Sequence, residues 1–231
     1  MKVFAISDLH LSNTCDKPMN IFGPVWEGHF EQICKDWKQK VTNEDVVLIA
    51  GDISWAMKLE DAVIDLNEIS KLPGKIIITR GNHDYWWKSL QSIRSNLNDN
   101  MFAIQNDSLK IGNYVFCGTR GWTVSEDGKY SEEDKKIFDR ELIRLELSLK
   151  CGQKLLNEGD KLICMIHYPP FNSNQEHSEF MQLFEKYKVN KVIYGHLHGK
   201  KVKTIKYVKI NDIEYYLTSC DQVENKLVEI Y

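Results

Sequence analysis

The order of hydrophobic and polar positions in the first hundred residues alternates between two patterns. Short apolar runs, typical of buried strands, occupy residues 2–7, 46–50 and 75–79. Between and after them lie segments whose apolar residues recur every three or four positions, which predicts helices over 26–41, 59–72 and about 86–97. Strands that alternate with helices in this way predict βαβ units and a mostly parallel sheet.

The pattern changes after residue 100. Short apolar runs joined by Asn, Asp and Gly turns predict strands at 101–104, 109–111 and 114–118, which we expect to pair antiparallel. Ser131 and Asp134 have the spacing of a capping box that opens a helix to about Lys150, with Gly152 as its stop. Two more buried strands are predicted at 162–166 and 191–194, with a helix near 179–188 between them. The chain closes with three strands that we expect to be antiparallel, over 202–208, 213–218 and 227–230.

Composition is typical of a globular protein with a sizeable core. The chain has 231 residues, 42% of them hydrophobic, and shows no repeat or linker, so we expect a single domain over 1–231. A net charge of -3 gives no electrostatic support for contact with nucleic acid or a membrane surface. The N-terminal apolar run is too short for a signal peptide, and no run is long enough to span a membrane, so we expect a cytoplasmic location. The six cysteines are irregularly spaced and are predicted to be free thiols, with Cys164 and Cys220 in the core.

Side chains that can bind metals are concentrated where predicted strands end. Five of the seven histidines and one aspartate follow apolar runs in this way: His10, His83, His167, His196, His198 and Asp52. The carboxyl ends of strands line the crevice in which open α/β sheets bind ligands. We therefore expect five segments to deliver imidazoles, carboxylates and one amide to one edge of the sheet.

The local spacing of these residues suits metal binding. In Asp8-x-His10 and in His196-x-His198, the two side chains point the same way from an extended backbone and can bind one ion. Glycines precede three of the ligand segments, at Gly51, Gly81 and Gly195. We expect these glycines to adopt φ above zero at sharp turns. Imidazole, carboxylate and amide donors suit divalent Mn, Fe, Zn, Co or Ni, and the lack of Cys argues against a closed thiolate zinc site.

Five motifs, taken together, resemble the calcineurin-like metallophosphoesterase superfamily. They occur in that family's order and are Asp8-x-His10, Gly51-Asp52, Gly81-Asn82-His83-Asp84, the isolated His167 and Gly195-His196-x-His198. The resemblance spans residues 8 to 198. It implies an α/β fold with mixed sheets, a β-sandwich flanked by helices in four αββα layers. It also implies two divalent metal ions, with Mn, Fe or Zn as the expected choices.

The resemblance also assigns roles to the motif residues. One metal would be held by Asp8, His10, Asp52 and His198. The other would be held by Asn82, His167, His196 and again Asp52, which would form a bridge. His83 would lie outside the metals and protonate or stabilise the leaving oxygen, and Asp84 would orient His83. From its position alone, Asp84 could also cap the following helix.

A two-metal site makes a water molecule the expected nucleophile. Metal binding lowers the pKa of water from 15.7 to about 7, so no nucleophilic side chain is needed. The sequence accordingly lacks a G-x-S-x-G elbow and a G-x-x-x-x-G-K-[ST] phosphate loop. We therefore expect hydrolysis of phosphomonoester or phosphodiester bonds. The alternatives are a non-catalytic scaffold with the same fold and, among enzymes, a nuclease.

Sequence details narrow the branch of the family. The lipid-A-pathway pyrophosphohydrolases commonly have Arg where this chain has His83, which favours the phosphatase and phosphodiesterase branches. Ser/Thr protein phosphatases typically read G-D-x-x-D-R, whereas this chain reads G-D-I-S-W from Gly51, which argues against protein substrates. Nucleases of the family carry extra DNA-binding segments for which this chain has little room. The expected partner is a small phosphoester, with a nucleotide as one candidate.

Residues close to the motifs are candidates for contact with substrate. Trp55 and Trp122 are equally consistent with stacking on a flat leaving group and with packing, whereas packing is favoured for Trp86 and Trp87. Arg120 is a candidate phosphate donor, although a surface role in a loop is favoured.

Other polar residues are expected to have no role in the site. The basic run Lys200, Lys201, Lys203, Lys206 and Lys209 predicts an edge strand protected by lysines and gives little support for nucleic-acid contact. His29 and His177 lie outside every motif and are predicted to be solvated.

Overall fold

The computed structural model describes residues 1–199 and 204–231, in which two β-sheets face each other. The first sheet contains Val3–Ile6 (β1), Val46–Ala50 (β2), Lys75–Thr79 (β3), Met101–Ala103 (β4) and Val228–Glu229 (β11). Its order is β11-β1-β2-β3-β4. The four strands from β1 to β4 are parallel, and β11 pairs antiparallel with β1.

The second sheet has the same character, with a parallel centre and antiparallel edges. It contains Ser108–Ile111 (β5), Tyr114–Thr119 (β6), Lys161–Ile166 (β7), Lys191–Tyr194 (β8), Tyr207–Ile210 (β9) and Ile213–Leu217 (β10). Its order is β5-β6-β7-β8-β10-β9. The pairs β6–β7, β7–β8 and β8–β10 are parallel, whereas β5–β6 and β9–β10 are antiparallel.

Helices cover the outer faces of both sheets. They are His29–Lys40 (α1), Leu59–Ser70 (α2), Leu90–Arg94 (α3), Glu132–Gln153 (α4) and Glu179–Lys186 (α5). Apolar residues of α1 and α2 share a core with the first sheet, and those of α4 and α5 share a core with the second. The four-layer αββα sandwich implied by the resemblance is therefore confirmed. Across the described residues, none of the helices combines the length and the apolar character needed to cross a membrane.

The period-two alternation of the strands builds three cores. In β1, Val3 and Ala5 face the second sheet, whereas Phe4 and Ile6 face helices α1 and α2. The central strands are buried on both faces, which is why they read as continuous apolar runs. Each buried aliphatic side chain contributes about 1.5–3 kcal/mol relative to exposure, so the sandwich is a rigid base for the loops at its edge.

Two helix predictions are corrected by the structure. The helix expected over 86–97 is only Leu90–Arg94, because Ser89 caps it and the preceding Trp86 and Trp87 lie in a buried turn. The capping box at Ser131 is confirmed, since its hydroxyl accepts from the backbone N–H of Asp134. The prediction that Gly152 ends this helix is wrong. It lies inside α4, where a Cβ would collide with Sγ of Cys117 on β6.

Several pairing directions also differ from expectation. The antiparallel pairing expected after residue 100 holds for β5 with β6, but β4 pairs parallel with β3 and β6 pairs parallel with β7. Among the closing strands, β10 pairs parallel with β8. The strand expected over 202–208 is seen as Tyr207–Ile210, and residues 200–203 lie outside the described residues. Lys200, Lys201 and Lys203 fall there, whereas Lys209 lies on the edge strand β9, as predicted.

Candidate metal centre

The strands that carry the ligand motifs end at one edge of the sandwich. β1, β2 and β3 are neighbours in the first sheet, and β7 and β8 are neighbours in the second. Several contacts join the sheets at that edge. The backbone N–H of His196 donates to the Asp8 carboxylate at 3.1 Å, and Nδ1 of His167 lies 2.8 Å from the carbonyl oxygen of Ala50. The motifs therefore converge, as expected for strand ends in such a fold.

One group of side chains has the arrangement of a metal site. Ligand atoms of Asp8, His10, Asp52 and His198 all lie within 4.8 Å of one another. The first three residues are buried, and His198 is half-buried. These are the four residues that the resemblance assigned to one metal, and the structure brings them together.

A second group lies beside the first and shares Asp52 with it. Oδ1 of Asn82 is 2.7 Å from Nε2 of His167 and 2.9 Å from Nδ1 of His196. Oδ2 of Asp52 is 3.4 Å from Nε2 of His167. The residues assigned to the other metal therefore also lie together.

Unpaired polar atoms show that a cation fits this place. Within the described residues, both ring nitrogens of His10 and Oδ2 of Asp52 are buried without a hydrogen-bond partner. Leaving such an atom unpaired costs roughly 1–3 kcal/mol. A divalent cation would satisfy Oδ2 of Asp52 and one of the two ring nitrogens of His10, since imidazole nitrogen and carboxylate oxygen are ligands that such cations prefer.

Electrostatics keep two of the ligand imidazoles neutral, as metal binding requires. Burial lowers the pKa of His10 and of His196 to about 3, so both rings are neutral at pH 7. In His167 the effect of burial is outweighed by Asp52 and Asp8, which raise its pKa to about 9. At pH 7 both ring nitrogens therefore carry a proton: Nδ1 faces the Ala50 carbonyl, and Nε2 faces Asn82 and Asp52. A cation bound at Nε2 would displace a proton.

Four of the ligand candidates have a left-handed backbone, so the extended backbone predicted for the Asp-x-His and His-x-His motifs is wrong at Asp8, His10 and His196. The φ angles are 58°, 46°, 52° and 69° for Asp8, His10, Asp52 and His196. Such conformations cost of order 1–3 kcal/mol each and gather at functional sites. Hydrogen bonds between the loops maintain them: His10 donates its N–H to the Asp52 carbonyl, and Asp8 donates to that of Gly51, both at 3.0 Å.

Only one of the three motif glycines has the backbone conformation that was predicted for it. Gly51 has φ of 87°, as expected, whereas Gly81 and Gly195 are not in the left-handed region, so that prediction is wrong for these two. A Cβ on Gly81 would collide with the side chain of Asp52, and one on Gly195 would lie 2.5 Å from Oδ2 of Asp8. Close approach of a ligand carboxylate to the backbone is what requires glycine there.

Asp84 is fully buried and ties two ligand loops together. Its carboxylate accepts hydrogen bonds at 2.7–3.2 Å from the indole of Trp86 and from the backbone N–H groups of Asp52, Ile53, Ser54 and Gly81. Burial and the nearby Asp52 carboxylate raise the pKa of Asp84 to about 6. The expected helix cap is instead Ser89. Among the described residues no hydrogen bond joins Asp84 to the His83 ring, so the expected direct orienting contact is not seen.

His83 lies at the margin of the first ligand group. Its ring centroid is 5.6 Å from that of His10 and 4.5 Å from that of Trp55. Its backbone N–H donates to Oδ1 of Asp52 at 2.8 Å, and its Nδ1 has no hydrogen-bond partner among the described residues. Burial lowers the pKa of His83.

Trp55 packs directly on the site. Its ring stacks on that of His10 with centroids 4.7 Å apart and planes 20° apart, and its indole N–H donates to Sδ of Met19 at 3.3 Å. Trp55 therefore restrains the rings of His10 and His83, while its contact with substrate stays a prediction. Trp86 and Trp87 are fully buried, which confirms their packing role.

Arg120 and Trp122 make side-chain contacts with each other and with α4. The Arg120 guanidinium lies 4.9 Å from the centre of the Trp122 ring, and its Nη2 is 3.8 Å from Oε1 of the buried Glu141. Trp122 donates to Asp134 at 3.3 Å. The Arg120 side chain is only 19% exposed, so the surface role is wrong. The cavity beside it measures about 20 Å³, enough for a water but not for a phosphate, and its contact with substrate stays a prediction.

The family follows from a match over most of the chain. A model of calcineurin-like phosphoesterases matches residues 1–200, which contain every ligand motif. The chain belongs to the calcineurin-like phosphoesterase family. Membership implies metal-dependent hydrolysis of phosphoesters, in agreement with the donor atoms gathered at the strand ends.

Known proteins are similar to this calcineurin-like phosphoesterase, in fold or in sequence, at low sequence identity. The protein TT1561 of Thermus thermophilus is 13% identical with a TM-score of 0.62, over 98% of this chain and 96% of that one. The phosphopantetheinyl hydrolase of Mycobacterium tuberculosis is 11% identical with a TM-score of 0.56, over 99% and 95%. The uncharacterized protein MJ1445 of Methanocaldococcus jannaschii is 29% identical over 100 residues, or 41% of this chain. That match spans about half of the relative, 53% of its length.

Sequence reasoning missed residues that support the ligand loops of this phosphoesterase from behind. Asp65 of α2 is fully buried and accepts from Nδ2 of Asn13 at 2.7 Å and from the hydroxyl of Ser54, which joins the loops after β1 and β2. An acidic residue three positions after Ala62, on the apolar face of a helix, is the signal that could have found it.

The two histidines outside the motifs differ from each other. His29 is not solvated, which corrects its prediction: Nε2 lies 2.8 Å from the carbonyl oxygen of Leu9 and Nδ1 lies 3.1 Å from that of Trp26. It therefore supports the Asp8-x-His10 segment. His177 is exposed, as predicted, and pairs with Glu185 at 2.9 Å.

Proposed function

We propose that this calcineurin-like phosphoesterase uses two metal ions to hydrolyse small phosphomonoesters or phosphodiesters. The position of Asp52 carries the proposal. Its unpaired Oδ2 lies 3.8 Å from Nε2 of His10 and 3.4 Å from Nε2 of His167. Each of these histidines belongs to a different ligand group, so the oxygen is suited to bridge two cations.

Each of the two ligand groups would hold one cation. Asp8, His10, Asp52 and His198 would hold one, and Asp52, Asn82, His167 and His196 would hold the other. Nitrogen and oxygen donors of this kind favour Mn, Fe or Zn. When bound, the cations lower the pKa of a water molecule and offset the charge of the phosphoryl oxygens.

Side chains of the protein supply the proton for the leaving group and position the ligand loops. His83 protonates the leaving oxygen, and its ring is held beside the first ligand group by Trp55 and by the bond of its backbone to Asp52. Burial lowers the pKa of His83, and the negative charge of a bound substrate acts in the opposite direction, towards the protonated ring. Asp84 maintains the spacing of the loops that carry Asp52 and Asn82.

The substrate we propose is a small organic phosphoester, with nucleotides among the candidates. The net charge of -3 supports a small substrate over nucleic acid. Every ligand position and His83 are present and close together, which supports an enzyme over a non-catalytic scaffold.

Metal content and turnover test the proposal together. We expect purified protein loaded with Mn to bind about two ions per chain and to cleave p-nitrophenyl phosphate or bis(p-nitrophenyl) phosphate. Asp52→Asn should lower both metal content and turnover, whereas Asp212→Asn, at a side chain that is 99% exposed, should change neither. A protein that binds none of Mn, Fe, Zn, Co and Ni and cleaves neither ester contradicts the proposal.

A further inference from the structure

A cavity of about 380 Å³ opens beside the second ligand group. His196 forms part of its wall, next to Tyr168, whose ring centroid lies 4.2 Å from that of His196. Much of the remaining wall is apolar and includes Val124, Phe171 and Leu197. Small-molecule sites typically measure about 300–1,000 Å³, so this cavity suits one small organic group.

The cavity and His83 flank different ligand groups. Asn82 and His83 are consecutive, but their side chains diverge. Oδ1 of Asn82 lies 2.9 Å from Nδ1 of His196, whereas the ring of His83 neighbours His10 and Trp55. Neither His83 nor Trp55 is among the described residues that line the cavity. An organic group on the oxygen that His83 protonates therefore extends away from the cavity.

We infer that the cavity holds the second organic substituent of a phosphodiester, the one that stays on phosphorus. This inference rests on the proposed function, in which His83 protonates the leaving oxygen. Water loses a proton to the solvent and its oxygen forms a new bond to phosphorus. The bond to the leaving oxygen breaks with its electron pair, that oxygen takes the proton from His83, and His83 regains a proton from the solvent. The retained group keeps its bond to phosphorus, and the product is a phosphomonoester.

The walls of the cavity indicate the chemistry of the retained group. Phe171 is held edge-on between Tyr194 and Tyr215, with ring centroids 5.6 and 5.5 Å away, so this aromatic wall is rigid. Rigid aromatic and aliphatic walls suit a flat, uncharged group such as an aryl ring or a nucleobase. A monoester has no second substituent and leaves the cavity unused, so diesters with a flat retained group are the favoured substrates.

The test keeps the leaving group constant and varies the retained group. The substrates are p-nitrophenyl phenylphosphonate, p-nitrophenyl methylphosphonate and the monoester p-nitrophenyl phosphate. We expect kcat/KM to be about 10- to 100-fold higher for the phenyl ester than for the methyl ester, the gain that burial of a ring provides. Calorimetry should show the same order of affinity for phenylphosphonate and methylphosphonate, which contain no ester to hydrolyse.

Variants of the cavity identify the source of this preference. Val124→Trp fills the cavity and should abolish the phenyl preference in turnover and in binding, while p-nitrophenyl phosphate is cleaved as before. Phe171→Ala removes the rigid wall and should weaken the preference. Phe102→Ala makes the same deletion on β4 of the other sheet and should leave the preference intact.

The outcomes separate this inference from the proposed function. Equal kcat/KM for the phenyl and methyl esters, with both cleaved, overturns the inference and leaves the proposed function standing. If folded Val124→Trp loses turnover of p-nitrophenyl phosphate as well, the cavity holds the leaving group and the inference is overturned. If metal-loaded protein cleaves none of the three esters, the proposed function fails, and the inference fails with it.

Discussion

The carboxylate of Asp84 accepts a hydrogen bond at 3.0 Å from the backbone nitrogen of Asp52, the residue shared by the two ligand groups. The same carboxylate accepts from the backbone of Gly81 at 2.7 Å. It therefore joins the loop after β2 to the loop after β3, which carry Asp52 and Asn82. A buried carboxylate outside the ligand groups thus sets the spacing of the ligands, in the way that residues behind a metal site commonly do.

We expect Asp84→Asn to lower both stability and metal affinity. Each carboxylate oxygen accepts from at least two N–H groups, so the amide nitrogen of Asn would face donors in either orientation. The expected loss is about 1–3 kcal/mol in the free energy of unfolding of the metal-free protein. Metal affinity should fall about 10- to 100-fold, as for other residues that support metal ligands. Denaturant unfolding and metal titration measure the two effects.

Asp45→Asn is the matched control for this variant. Asp45 also accepts backbone N–H groups, those of Lys2 and Thr42, but it lies before β2, at the opposite end of the strand from Asp52. It should lower stability without changing metal affinity. Unchanged metal affinity in Asp84→Asn would show that this carboxylate does not position the ligands.

We expect His83→Ala to retain metal and to lose activity selectively. General acid catalysis is worth about 10²- to 10⁴-fold, and a poor leaving group depends on it most. Turnover of an alkyl phosphate should therefore fall by that factor, and turnover of p-nitrophenyl phosphate should fall much less. His177→Ala, at an exposed histidine paired with Glu185, is the control and should retain full activity. Equal losses on both substrates would remove His83 from the role of general acid.

The single methyl group added in Gly81→Ala should disturb the metal site. The added Cβ would collide with both the side chain and the backbone nitrogen of Asp52, so Asp52 would have to leave the position that the two ligand groups share. Gly152→Ala creates a comparable collision with Cys117 in the core between α4 and the second sheet. Both variants should lose thermal stability, but only Gly81→Ala should also lose metal affinity. A Gly81→Ala protein that binds metal like the wild type would mean that the position of Asp52 is not critical.

Much of the site could be predicted from the sequence because its ligands occur at strand ends in short motifs. The strands 46–50 and 75–79 match the structure residue for residue, since both are buried apolar runs. The direction of β4 could not be predicted, because side chains alternate with the same period in parallel and antiparallel strands. The hydrogen-bond partners of Asp84 could not be predicted either. A carboxylate that binds backbone N–H groups some 30 residues away depends on the tertiary fold and leaves no local pattern.

Crystals grown with Mn and measured for anomalous scattering give the most direct test of the shared Asp52. We expect two anomalous peaks per chain, about 3.5–4 Å apart, with Oδ2 of Asp52 in contact with both. His10 and His198 should contact one peak, and His167 and His196 the other. A single peak, or two peaks of which only one contacts Asp52, would contradict a two-metal site bridged by this residue.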